Sequence, residues 1–160
     1  MAKEFFDPPG VYAPVNIYSH GVRAGNTLTL AGQAPLAEDG SVVGPGDPLA
    51  QCRRVFVELA KTLEMAGATF ADVVYMRAYV TRKSVLPVLR EVSREIFGTN
   101  RPAFAPLMVR PDTVTVLPVP MFAELNAPAA LFVTSVTVSP FTTPTRLALA
   151  VLSVAVVEPS

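Results

Sequence analysis

The sequence predicts an α+β fold, a mostly antiparallel sheet with two helices layered on one face. Three observations predict it. Residues 18–35, YSHGVRAGNTLTLAGQAP, read as two short strands around the turn Ala24-Gly25-Asn26. Two later segments carry apolar residues at helical spacing, and each runs into a glycine. Between them residues 73–80 alternate, with Val74, Met76, Ala78 and Val80 on one face and Val73, Tyr75, Arg77 and Tyr79 on the other. An apolar strand face opposite a mixed one places helices on one side of the sheet and a different surface on the other.

Composition narrows the class. The chain has 160 residues, 51% hydrophobic and 16% charged, which fits one domain with a substantial core. Thirteen basic residues balance thirteen acidic ones. That balance argues against a nucleic-acid partner, which calls for a clustered basic surface, and Arg53 and Arg54 alone are too few to form one. Little self-repulsion opposes oligomerisation. The one cysteine, Cys52, leaves no intramolecular disulfide and suits a reducing, cytoplasmic compartment. One histidine and one cysteine far apart in sequence leave no metal site to expect. The first ten residues lack the apolar run of a signal peptide, and residues 147–157 fall far short of the roughly 20 a membrane span needs.

Taken in order, residues 1–16 are proline-rich and read as an extended arm. In the hairpin, the second strand spans 26–33, with Leu28, Leu30 and Gly32 on one face. A glycine inside a strand marks the close approach of a ligand or another backbone. A loop over 37–46 carries three glycines. Asp47-Pro48 then opens the first helix with an N-cap acceptor and a proline at the first helical position. Leu49, Cys52, Phe56, Leu59, Leu63 and Ala66 form its core-facing stripe, and Gly67 ends it. The second helix opens at Ser84 and stops at Gly98, with Val85, Leu89, Val92 and Ile96 inward. Residues 113–117 and 121–125 read as two further short strands.

The order Tyr-Ser-His, Arg-Ala-Gly-Asn and Gly-Gln-x-Pro resembles the opening hairpin of the RidA/YjgF family of enamine and imine deaminases. The likeness continues through AQCRRVFVELAKTLEMAGATFADVVYMRAYVT and returns at LPVPMFAELNA, covering most of residues 18–127. It implies a chorismate-mutase-like fold assembled as a homotrimer, with pockets between subunits and no cofactor. Residues 1–127 then form the RidA-like domain and 128–160 a C-terminal extension. In that extension, 129–138 and 147–157 read as an extra strand pair. Two other readings make them the family's last two strands after an insertion, or a read-through sequence foreign to the domain.

The resemblance also implies the reaction: hydrolysis of a reactive imine or enamine to a carbonyl product and ammonia. Such chemistry needs a carboxylate anchor, a positioned water and a proton for the departing nitrogen. Tyr18, Gly32, Gln33 and Glu124 match positions the family uses, with Tyr18, Gly32 and Glu124 as the catalytic set. Ser19 adds a polar group beside Tyr18. Where the family places its carboxylate-clamping arginine, after Arg101-Pro102-Ala103, this chain has Phe104. Loss of such a partner costs roughly 2–5 kcal/mol of binding. Arg110 is the first candidate replacement and Arg90 the second, and Phe104 points to a bulkier or less acidic substrate. His20 reads as structural and Cys52 as a packed thiol. A related pocket for condensation or cyclisation, and a non-catalytic metabolite-binding trimer, are the rival readings.

Overall fold

The computed structural model describes residues 2–14 and 18–108. Within them lie β1 (Lys3–Phe6), β2 (Gly21–Ala24), β3 (Thr27–Leu30), α1 (Pro48–Met65), a 3-10 turn (Phe70–Asp72), β4 (Tyr75–Val80), α2 (Val85–Phe97) and β5 (Ala103–Met108). Strands β1, β2 and β3 form an antiparallel sheet in that order, and β4 pairs with β5 in parallel. The α+β expectation, with two helices and an antiparallel sheet, holds. The expected strands at 113–117 and 121–125, and the whole C-terminal extension, lie outside the described residues.

The hairpin forms because Ala24 pairs with Thr27 across a two-residue loop, and Gly25 takes φ +59° there. A positive φ at the first loop position is what a type II′ turn requires, and it matches strand twist. Leu28 and Leu30 are buried, as the alternation predicted. Three boundaries differ from the sequence reading. Strand β4 begins at Tyr75, and Val73 is buried while Val74 is exposed, the reverse of the faces expected for them. Strand β3 stops at Leu30, so Gly32 lies beyond it, one residue past a last rung from Ala31 N–H to the His20 carbonyl (2.8 Å). The supposed arm contains β1, whose Phe6 pairs with Gly21 and is buried beneath the Arg23 guanidinium, 5.0 Å from the ring centroid. Four residues with only one buried side chain carry too little alternation to read as a strand.

Helix α1 begins where Asp47 Oδ1 accepts from the Leu49 and Ala50 N–H groups at 2.9 and 3.1 Å. It ends at Gly67, φ +69°, with the Ala68 N–H returning to the Leu63 carbonyl at 2.8 Å. Arg23 donates to the Ala66 carbonyl, so β2 caps the helix from outside. The predicted stripe is buried from Cys52 through Phe56, Leu59 and Leu63 to Ala66, with Leu49 at its edge. Facing it are Leu28 and Leu30 of β3, Met76, Ala78 and Val80 of β4, and Val85, Leu89 and Val92 of α2. Tyr75, Arg77 and Tyr79 occupy the other, half-open face of β4.

β5 is the element the sequence hid. Ala103-Phe-Ala-Pro-Leu-Met does not alternate, and Pro106 sits within it. Proline is tolerated in a strand at a sheet edge, where its missing N–H faces no partner. The β4–α2–β5 crossover makes the pair parallel.

Cys52 lies in this core, fully buried, and burial pushes its thiol up to about 12. A raised folded value contributes stability that is intact below the unfolded thiol range, about 8.5, and is lost as pH climbs toward the folded value. The folded protein is therefore expected to resist a thiol reagent at neutral pH and to become less stable above about pH 8.5. Thiol titration with and without urea checks this. Rapid labelling of the native protein would contradict it.

Candidate active site

The first group of expected site residues surrounds His20. Its Nε2 donates to the Tyr12 carbonyl at 3.0 Å, and its Nδ1 accepts from Gln33 Nε2 at 3.0 Å. An amide N–H can only donate, so with Gln33 in this orientation the Nε2 nitrogen is the one that carries the proton to Tyr12. With both nitrogens engaged and the ring buried, His20 holds the N-terminal segment to the hairpin and offers no free base. Its backbone N–H reinforces this by donating to Asp7 Oδ1 at 2.8 Å. Gln33 is buried as the partner of His20, so its amide nitrogen is engaged rather than free.

Tyr18 packs edge-on against His20, with ring centroids 5.8 Å apart, and stays 37% exposed. Burial of its other side, followed by the neighbouring Tyr12 and Asp7, raises its phenol above the ordinary value. Tyr18 therefore remains a proton-bearing donor at neutral pH. Ser19 is half-buried and Gly32 exposed beside it.

The second group meets at a pocket of about 650 Å³ where the C-terminal half of α2 passes the start of β5. Arg90, Arg94 and Arg101 wall it, and Met76, Phe97 and Phe104 supply apolar lining. Phe104 pairs with Met76 in the parallel register, so both side chains share one face of the sheet. The connection between α2 and β5 is fixed by Asn100, whose Nδ2 donates to the Phe70 and Val73 carbonyls at 2.7 and 2.9 Å. Phe97 is held from behind by edge-on contacts to Phe70 and Phe56, at 5.4 and 6.0 Å. Ser93 lines the same pocket, its hydroxyl shielded from solvent and without a hydrogen-bond partner among the described residues.

Phe104 and Arg90, both singled out in the sequence, thus share one pocket. Tyr18, Ser19, Gly32 and Gln33 do not line it. Arg110 and Glu124 lie outside the described residues. Sequence reasoning missed Arg94 and Arg101. The signal was there: Arg90 and Arg94 stand four apart on one helix, a like-charge spacing that costs a few tenths of a kcal/mol without an anion between them. No group of three or more His, Cys, Asp or Glu able to hold a metal occurs among the described residues. No described helix is long and apolar enough to cross a membrane.

Fold and pocket together define a small α+β protein with a ligand-sized cleft at the end of a β–α–β crossover. The chain belongs to the family described as Endoribonuclease L-PSP, whose sequence profile matches residues 11–131 and which includes the RidA/YjgF and RutC proteins. It is 33% identical to a RutC family protein of Pyrococcus abyssi over 103 residues, 64% of this chain and 81% of the relative. It is 32% identical to the 3-aminoacrylate deaminase RutC of Acinetobacter baylyi over 103 residues, 64% of this chain and 82% of that one. In fold it is similar to a Rid-family protein of Yersinia pestis, with a TM-score of 0.63 and 24% identity over 73% of this chain and 90% of that structure.

Proposed function

We propose that the protein hydrolyses a reactive imine or enamine acid to a carbonyl compound and ammonia. It would do so without a cofactor, as a cytoplasmic homotrimer of chorismate-mutase-like fold. The observation that carries this reading is the convergence of Phe104 and Arg90 on one pocket, joined there by Arg94 and Arg101. That arrangement supplies the carboxylate anchor which Phe104 alone cannot. A family relative named for 3-aminoacrylate deamination supports the reaction class.

In the proposed reaction, water adds to the C=N carbon and its proton passes to nitrogen. The resulting carbinolamine collapses, expelling ammonia and leaving C=O. The arginines hold the substrate's acid end, and the Tyr18 phenol is a proton donor for the departing nitrogen. Glu124 is the group proposed to move protons to and from the water, and the Gly32 segment lines its approach. Because the hairpin group and the pocket are separate on one chain, each site joins the hairpin of one subunit to the pocket of the next. The exposed Phe5, Val74, Leu107 and Met108 are apolar surface suited to such contacts.

The family description also raises RNA cleavage. A net charge of zero gives no support to a phosphate-binding surface of the extent that RNA requires.

The test couples an amino-acid oxidase, which makes imino acids of varied side chain, to semicarbazide, which traps those that remain. The expected result is less semicarbazone with the protein present, above all for large side chains. Unchanged trapping across every imino acid would overturn the hydrolytic reading and favour a binding role or ring-forming chemistry.

A further inference from the structure

We infer that this pocket selects a doubly anionic substrate with a bulky apolar or aromatic body, Arg94 and Arg101 acting with Arg90 as its acid-binding wall. The inference rests on the proposed reading of the site and names its substrate class.

Charge distribution is the first argument. Arg23, Arg53, Arg54 and Lys61 each face a glutamate, at 2.9, 3.1, 2.7 and 3.5 Å respectively. Arg90, Arg94 and Arg101 line one pocket, and none of them is ion-paired among the described residues. In a chain whose thirteen basic and thirteen acidic residues balance overall, three guanidiniums around one cleft form a local excess of positive charge. One carboxylate engages one guanidinium fork well, through two parallel N–H donors. It would leave the other two repelling each other, and a second anionic group on the ligand relieves that.

Size and polarity are the second. At about 650 Å³ the pocket falls in the range of drug-sized ligand sites, roughly 300–1,000 Å³, and far exceeds the need of a three-carbon acid. Met76, Phe97 and Phe104 give that extra volume an apolar lining suited to a ring. The substrate is therefore bulkier than a three-carbon acid, as Phe104 suggested, and more acidic rather than less.

Calorimetric binding of three stable probes tests this without turnover. Phenylsuccinate carries two carboxylates and a ring, phenylacetate one carboxylate and a ring, and succinate two carboxylates alone. Phenylsuccinate is expected to bind at least tenfold more tightly than either of the others. R94A/R101A is expected to lose at least tenfold of that affinity, R94K/R101K to recover part of it, and added salt to weaken it. The side chains are exposed, so the variants should fold; if they do not, the selectivity of the wild-type protein decides alone. Equal binding of phenylsuccinate and phenylacetate, no binding of any probe, or an unaffected folded double variant would overturn the inference. Turnover of singly charged imino acids without dianion preference would remove it and leave the hydrolytic reading standing. Tight dianion binding with no imine turnover would do the reverse.

Discussion

Arg54→Met is expected to destabilise the protein by about 3–5 kcal/mol, the usual cost of stranding one member of a buried ion pair. Glu58 lies on α1 with its side chain 2% exposed, and Arg54 Nη2 approaches its Oε1 at 2.7 Å. Neither carboxylate oxygen has an aligned hydrogen bond, so the interaction is ionic, and only Lys61 at 3.5 Å would remain. The same two cations fasten the surrounding loops. Arg54 Nε donates to the Leu36 carbonyl at 2.8 Å, and Lys61 Nζ donates to the Gly10 carbonyl. Changing Glu58 as well, in R54M/E58M, is expected to recover most of the loss, because two apolar groups leave no charge buried. The remaining deficit of about 1 kcal/mol reflects the lost bond to Leu36. Urea denaturation of the single and double variants measures both. A double variant less stable than R54M would contradict this account of Glu58.

The consequence reaches the site. Lys61 holds the N-terminal segment at Gly10, and two residues on, the Tyr12 carbonyl holds His20. His20 in turn fixes Gln33 and packs against Tyr18. Loosening the cluster should therefore disturb the hairpin half of the site before the pocket half, which rests on α2 and Asn100.

Both helices were legible from the sequence because their signals are local. Asp47-Pro48 caps a start, Gly67 and Gly98 mark stops, and the spaced apolar residues between them have one core to face. The hairpin was legible for the same reason, since Gly25 alone sets its turn. What escaped was set by partners distant in sequence. β1 is a strand because β2 offers it an edge, and β5 because β4 lies across the crossover from it. Gly32 was misplaced because alternation continues through Gln33 while the pairing stops short of it. Phe104 and Arg90 were found through the family resemblance. Arg94 was legible in its spacing four residues from Arg90, whereas Arg101 needed the pocket, because only the fold shows the start of β5 facing the end of α2.

The second large effect concerns activity and decides how the two halves of the site combine. Tyr18→Ala removes the proposed proton donor of the hairpin half, and R90A/R94A removes two arginines from the pocket half. Each is expected to lower imine hydrolysis at least tenfold. If the protein is the proposed trimer and every site joins one subunit's hairpin to its neighbour's pocket, mixed assemblies contain sites in which both halves are intact. For random mixing in a closed ring that fraction is about one quarter. The measurement is imine hydrolysis by the two variants after co-refolding at equal amounts, against each alone. Recovery to about a quarter of the wild-type rate is the predicted result. A mixture no more active than the mean of its parents would contradict a site shared between subunits.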